Sequence, residues 1–460
     1  NGGAAADLSP AILERTLFHC TNSYYIPNVI ATAHSCKTNL PPNTAFRGFG
    51  GPQGKFVIEA AIVKAAESLG VAPAVIQKAN LVVDGDELSY GQILQQVEAR
   101  NAWESCMEKY DYEAQKKRVA TFNASNSRYK KGLAIQPICF GISFTNTMMN
   151  HARALVHIYH DGSVVVSTGA VEMGQGVNTK MLQIVTETFG IPNHRVRIES
   201  TNTLRVANTS PTAASAGADL NGKALQMACV ALSDRLKAVA QKEYSDATID
   251  LKEEKVFANG VPTYISWNDL VMKAFTQRVA LSENSHYSTP TIHYDKTKEK
   301  GHPFAYHVYG TAIHEVTVDC LRGTYDFDSV NIVHDFGKSM NIDIDNGQIE
   351  GGLVQGIGWM TLEEIIYNNQ GRLVSNALST YKVPDIYSVP KEINIIHLDT
   401  QGHELAIKKS KAVGEPPLMY GIGAYFAIRD AVKAFNPNVE FAVNAPYTPE
   451  KVLMDLYKKS

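Results

Sequence analysis

Cysteine is scarce in this chain and poorly placed for bonding. Cys20, Cys36, Cys106, Cys139, Cys229 and Cys320 are scattered through 460 residues, with no CxxC and no pair at metal-ligand spacing. That argues against a disulfide framework, a structural zinc or an iron-sulfur cluster in this chain, and points to reduced thiols of a cytoplasmic protein. No stretch reaches the roughly 18 uninterrupted apolar residues of a membrane helix, so no membrane partner is expected. Neither charge dominates: 43 Lys plus Arg against 46 Asp plus Glu leave −3. With no long run of either sign, nucleic acid is not expected as a partner. Internal repeats and low-complexity tracts are also missing. Residues 1–6 begin with Asn1 and have neither the basic start nor the apolar core of a signal peptide, and the sequence reads as a piece of something longer.

What is present suggests an α+β fold in more than one domain, since 460 residues exceed the roughly 250–300 that one core usually serves. Helical spacing runs over 7–19, entered by Ser9 and Pro10, and over 52–69, 72–80 and 110–123. The polar stretch 124–131 marks a boundary, giving domains 1–127 and 128–460. Beyond it, 132–138, 154–159, 163–168 and 195–199 are β-rich, the first two expected to share a sheet with the third. Helices are expected over 178–189, 213–244, 347–364 and 425–434, strands over 312–319 and 330–335, and a charged proline-bounded loop over 290–303.

Several short motifs could carry chemistry. In Ser410-Lys411-Ala412-Val413-Gly414-Glu415-Pro416-Pro417 a carboxylate is held between a flexible glycine and two prolines. That suits a general base fixed in position, or a surface turn that happens to contain Glu. Glu172-Met173-Gly174-Gln175-Gly176-Val177-Asn178-Thr179 lies between a strand and a helix, where outward amides favour a phosphate or a carbonyl-rich ring. It partly matches a dinucleotide fingerprint with Glu199 as ribose partner, but Thr179 replaces the third glycine. The run from Gly50 to Phe56 fails the phosphate-loop pattern. Arg47-Gly48-Phe49-Gly50-Gly51 isolates one ring between bare residues, as a buried turn or as a ligand-facing ring. Phe144 and Thr145 place a ring beside a hydroxyl. Residues 208–215 crowd hydroxyls and small side chains at a helix entrance, more than capping needs. His157 and His160 have no third ligand near in sequence and are assigned to structure.

Taken together, the segments 43–53, 172–176, 208–215, 347–351 and 411–417 resemble, in order and spacing, the molybdenum domain of the xanthine dehydrogenase/oxidase family of molybdenum hydroxylases. The resemblance runs through essentially the whole chain. It implies a molybdopterin in the glycine-rich loop rather than NAD, with 1–127 as the C-terminal part of a first cofactor-binding subdomain and 128–460 as the second. Gly174, Gln175, Thr212, Ala213, Ser215, Gln348 and Arg47 match cofactor-binding positions. The metal would be held by the pterin dithiolene, with Arg47, Ala214 and Glu415 nearby and no protein ligand.

The same resemblance makes Glu415 the catalytic base and Arg15 the group that orients the substrate and stabilises charge on its carbonyl oxygen. Phe49 and Phe144 match the two rings that grip the heterocycle, while Thr145 and Ala214 match further substrate positions. An arginine at position 15 favours hypoxanthine and xanthine over aldehydes. Residues 146–149 depart from the more apolar channel segment of the animal enzymes. The family's upstream glycine-rich loop, its glutamine and its second active-site glutamate are not in this sequence. The resemblance therefore implies that an N-terminal remainder of the molybdenum domain, with FAD and two [2Fe-2S] clusters on other segments or subunits, completes a dimeric assembly. Alternatives are another molybdenum hydroxylase acting on aldehydes or N-heterocycles, a non-catalytic assembly fragment, and an NAD-binding dehydrogenase using Gly174 and Gly176.

Overall fold

The computed structural model describes residues 8–440 and 442–458. Five helices come first: α1 Ser9–Phe18, α2 Gly51–Leu69, α3 Pro73–Ala79, α4 Ala99–Lys109 and α5 Tyr112–Ser125. Pro10, Pro52 and Pro73 sit in the opening turns of α1, α2 and α3, where a fixed φ helps and the missing N–H costs nothing. Helix α4 was not expected. Its apolar stripe is only Ala99, Ala102, Trp103 and Cys106, all buried, on an otherwise charged segment.

The rest of the chain runs β1 Tyr129–Ile142, β2 His151–Ile158, β3 Val164–Thr168, α6 Val177–Phe189, β4 Val196–Ile198, α7 Gly217–Gln241, β5 Ile249–Lys252, β6 Lys255–Ala258, β7 Val261–Ser266, α8 Trp267–Thr276, β8 Ser282–Ser288, β9 His293–Asp295, β10 Lys300–His302, β11 Tyr306–Asp319, β12 Thr324–His334, α9 Ile342–Thr361, β13 Glu392–His397, α10 Gly423–Phe435 and α11 Pro449–Tyr457. Two mixed sheets organise the α+β fold. One is ordered β1-β11-β12-β13, with only β12 and β13 parallel; the other is β4-β3-β2-β8, with only β3 and β4 parallel.

The expectation that 132–138 shares a sheet with 154–159 and 163–168 is wrong. Strand β1 instead pairs along all fourteen residues with β11, from Tyr129 opposite Asp319 to Ile142 opposite Tyr306. The chain then leaves that sheet at a turn fixed by Asn150, whose side chain bonds both the N–H and the carbonyl of Phe144. The expected loop at 290–303 contains the β9–β10 hairpin.

The first sheet packs under α9 and α10 in one apolar core, and the second under α6, α7 and α8 in another. Among the described residues no strand lies beside the outer edge of β1, and side chains take the place of one. Asn123 bonds the N–H and carbonyl of Lys131, Asp430 accepts from Leu133 N–H, and Gln77 donates to the Ile135 carbonyl. Asn22 serves the Pro137 carbonyl and Cys139 N–H, and His19 Nε2 accepts from Gly141 N–H. Arg15 completes the row, donating to the carbonyls of Gly141 and Ser143. This polar edging ties α1 to the end of β1, next to Phe144 and Thr145.

Candidate functional site

Where the two cores meet, a cavity of about 470 Å³ is lined from four directions. Helix α6 and the loop before it supply Met173, Gln175, Val177 and Lys180. The turn into α7 supplies Thr212, Ala213, Ala214 and Ser215, and the first turn of α7 supplies Asp219; α9 supplies Gln348 and Gln355; and the strap 410–415 closes the remaining side, with Arg47 reaching in.

The strap ends in Glu415. Ser215 Oγ accepts from Glu415 N–H at 2.7 Å and donates to Glu415 Oε2 at 3.1 Å, so one hydroxyl fixes both the backbone and the carboxylate. Ala214 and Ser215 both adopt left-handed φ, 56° and 55°, which side chains avoid unless the surroundings impose it. Gly414 lies so close that a Cβ there would stand 2.9 Å from Ser215 Oγ. Arg47 Nε donates to the Gly414 carbonyl, and its Nη2 lies 3.1 Å from the Gln348 carbonyl, 3.2 Å from Gln348 Oε1 and 3.4 Å from the Val413 carbonyl. It passes Gly352, where a Cβ would be 3.1 Å from Arg47 Cζ. Burial pulls the Arg47 guanidinium down to about 10, against the opposing charge of Glu415.

The glycine-rich loop differs from the open anion site expected. Its amides face the chain's own carboxylate: Glu172 Oε1 accepts from Gly174 and Gly176 N–H, and Oε2 from Asn178 N–H. Burial alone would raise the Glu172 carboxyl, but the amides of Asn178, Gly176 and Gly174 outweigh it and hold it below its ordinary value. Gln175 is bonded within the loop, to the Val171 carbonyl and Met173 N–H, while still lining the cavity. Thr212 Oγ1 accepts from Val171 N–H, joining this loop to the helix entrance. Gly174 sits between two lining residues without lining the cavity itself.

Arg15, Phe49, Phe144 and Thr145 are not among the residues that line the cavity. Arg15 is 2 % exposed, with Cζ 4.5 Å from the Phe140 ring centre and 5.0 Å from that of Phe304. Burial lowers its pKa, with Glu415 and Tyr90 opposing, so Arg15 and Glu415 lie within electrostatic reach. Phe49 takes φ 48° between Gly48 and Gly50, also left-handed. That turn presses on α1, since a Cβ on Gly50 would meet the Ile12 carbonyl at 2.2 Å. Thr145 is buried and Phe144 half-buried against the first core.

Three charged residues around the cavity were not foreseen. Lys180 pairs with Asp345 at 2.7 Å, joining α6 to α9. Lys411 is buried against Asp335 and also donates to the His307 carbonyl. Asp219 is buried and its carboxyl is pushed up to about 6 by desolvation, against bonds from Tyr306 and Ile407 N–H. An acid in the first turn of a helix is ordinary dipole complement, so nothing local distinguishes Asp219.

The donor set suits a polar heterocyclic cofactor that brings its own metal ligands. Bare Ala213, Ala214 and Ala218 lie beside Arg47, Lys180, Thr212, Gln175 and Gln348, and neither Cys nor His lines the cavity. Among the described residues no three His, Cys, Asp or Glu side chains group as a metal would require. Glu199, the expected ribose partner, is paired with Arg197 at 3.0 Å. Lys55, in the rejected phosphate-loop run, is buried and donates to the Met419 carbonyl.

Sequence models described as "Molybdopterin cofactor-binding domain" match residues 105–390 and 1–81. The chain belongs to this family. It is homologous to xanthine dehydrogenases, with 42% identity over 98% of the chain to the xanthine dehydrogenase/oxidase of Mus musculus, 40% over 98% to that of Gallus gallus, and 39% over 99% to the xanthine dehydrogenase of Oryza sativa. The chain spans about one third of the length of these relatives: 33%, 32% and 33%. Its fold matches quinoline 2-oxidoreductase of Pseudomonas putida, with TM-score 0.86 and 24% identity over 97% of this chain and 57% of that one. The aldehyde oxidoreductase of Desulfovibrio gigas gives 0.83 and 24%, over 99% and 46%. The fold is that of the molybdenum hydroxylases.

Proposed function

We propose that this chain is the molybdopterin-binding part of an enzyme that oxidises hypoxanthine and xanthine to urate with water as oxygen source. The observation that carries the reading is the pair of hydrogen bonds between Ser215 and Glu415 at the edge of the cavity, which holds a carboxylate at a fixed place beside Arg47 and Gln348. The cofactor, when bound, supplies the two-electron oxidation. Gln175, Arg47, Thr212, Ala213, Ser215 and Gln348, which line the cavity, would hold it, with Gly174 shaping the loop between Met173 and Gln175.

Glu415 acts as the base. Its Oε2 is held by Ser215, which leaves Oε1 to take the proton from the oxygen that attacks an electron-poor ring carbon. Phe49 and Phe144 grip the heterocycle, Thr145 hydrogen-bonds it, and Ala214 leaves room for it. Arg15 stabilises negative charge developing on the substrate. Residues 1–127 close the first cofactor-binding subdomain and 128–460 form the second. The N-terminal remainder of the molybdenum domain, together with FAD and two [2Fe-2S] clusters on other segments or subunits, completes a cytoplasmic dimer.

Turnover by the assembled enzyme tests the substrate. Xanthine should be preferred to an aromatic aldehyde by about 100-fold or more in kcat/KM, the scale that a polar site reaches by leaving no buried group unpaired. Comparable values would make it a broader N-heterocycle or aldehyde hydroxylase. Purified complex without molybdenum and pterin would make the chain a non-catalytic assembly fragment.

A further inference from the structure

The strap that carries Glu415 is anchored twice to one buried pair outside the motifs. Asp219, in the first turn of α7, accepts from Tyr306 Oη at 2.6 Å through Oδ2 and from Ile407 N–H at 2.9 Å through Oδ1. Tyr306 Oη in turn accepts from Ala412 N–H at 3.2 Å. The pair therefore grips the strap at Ala412 and the turn leading into it at Ile407. Between those points Lys408 and Lys409 hold left-handed φ of 51° and 61°, a conformation that neither side chain favours and that external bonds must maintain.

The pair also faces the other parts of the site. Asp219 follows the 212–215 turn and lines the cavity, and Tyr306 opens β11 directly opposite Ile142, two residues before Phe144. The His403 ring lies over Tyr306 at 5.2 Å and 26°, fixing the plane in which the hydroxyl points. We propose that Tyr306 and Asp219 are positioning residues that lock the strap to the helix entrance and so set where the Glu415 carboxylate stands.

The chemistry of the pair is specific. Two donors, a phenol O–H and a backbone N–H, converge on Asp219 from different sides, and a carboxylate can accept both. An asparagine would satisfy one and present its own N–H₂ to the other. A phenylalanine at 306 would keep the ring against His403 and release Ala412 N–H and Asp219 Oδ2 together. The inference rests on Glu415 as the base, but the anchoring itself can be read without turnover.

The test uses the assembled, cofactor-loaded enzyme with Tyr306→Phe, Asp219→Asn and the double variant. Hydrogen-exchange mass spectrometry should show residues 406–415 exchanging about tenfold faster or more in each single variant, with molybdenum content unchanged. In the same samples kcat should fall about 10- to 100-fold, the cost of misplacing a reacting group by about 1 Å. KM should stay within about twofold, because the pair touches no substrate. The double variant should be no worse than Asp219→Asn, since the two act as one unit.

Unchanged exchange over 406–415 would overturn the proposal, as would additive losses in the double variant. Tyr306→Phe removes a single oxygen, so its failure to assemble would also overturn it, by making the pair a folding element. If exchange rises as expected but the parent enzyme oxidises no purine, the anchoring stands and the substrate assignment falls. If the parent is active and exchange is unmoved, the reverse holds.

Discussion

Ser215 Oγ sits between two atoms of Glu415, 2.7 Å from its backbone nitrogen and 3.1 Å from Oε2. The hydroxyl has one proton, and with the N–H donating to it that proton is free for the carboxylate. Ser215 can occupy this place only because residues 214 and 215 accept left-handed backbone.

Replacing Glu415 by Gln keeps the size and removes the carboxylate proposed as the base. Turnover should fall by about 10²- to 10⁴-fold, the usual share of a positioned base, with molybdenum retained. Ser215→Ala leaves the carboxylate but frees it, so kcat should drop about tenfold, the effect of losing a charge-assisted hydrogen bond of about 1.5 kcal/mol. Steady-state kinetics with metal analysis checks both. Near-normal activity in Glu415→Gln would remove that residue from the mechanism.

Arg15 has a structural duty that its sequence position did not reveal. Its two terminal nitrogens serve the carbonyls of Gly141 and Ser143, and its own carbonyl accepts from His19 Nδ1–H, which leaves His19 Nε2 to accept from Gly141 N–H. Burial, aided by the nearby Arg15 charge, keeps His19 neutral. Arg15→Met should therefore cost about 2–4 kcal/mol of stability by orphaning charge-assisted bonds at a strand edge, read as a lowered urea midpoint. If Arg15 also stabilises charge on a purine, the same variant should lose more activity on xanthine than on an aldehyde. Equal losses on both would leave it only the strand-edge role.

Asp219 gives a pH dependence with a definite sign. Desolvation raises its folded value to about 6 from an ordinary 3.8, so the fold holds this proton more tightly than the unfolded chain does. Its contribution to stability is complete below about 3.8 and is lost as pH rises through about 6, a change of about 3 kcal/mol. The titratable groups that act on it are Lys180 on α6, Lys223 on α7, Tyr287 on β8 and Tyr306 on β11. The slope of unfolding free energy against pH between 4 and 6, measured by denaturant titration, should be more positive in Asp219→Asn, because the falling contribution of Asp219 is removed. An identical slope would mean that Asp219 does not titrate there.

What was legible in the sequence follows from the range of the forces involved. Helices α1, α2 and α3 begin beside prolines and were placed within two residues, because capping and periodicity are local. The pairing of β1 with β11 was not, since nothing within 129–142 specifies a partner more than a hundred residues away. Strands β5, β6 and β7 were missed as short, polar-faced runs. At the site, the small-residue turn and the proline-bounded Glu415 announced themselves by composition. Tyr306 and Asp219 did not, because each is unremarkable alone and they meet across 87 positions. The glycine-rich loop misled in one respect: its amides are real donors, but Glu172 already takes them.

The strap has one further anchor with a measurable cost. Lys411 and Asp335 form an ion pair with side chains 2 % and 0 % exposed, and Asp335 also accepts from Thr400 Oγ1 at 2.9 Å and Gly337 N–H at 3.1 Å. Lys411 N–H meanwhile donates to the Phe336 carbonyl at 2.7 Å, so backbone and side chain of one residue bind the end of β12 and the turn after it. Lys411→Met leaves a buried carboxylate without its cation and should cost about 3–5 kcal/mol. Asp335→Asn in the same background removes the stranded charge and should recover part of that loss, while Asp335→Asn alone strands the lysine instead. A double-mutant cycle by urea unfolding reads the coupling directly. Additive single effects would show that the pair is not held together, and that the strap depends on its remaining bonds.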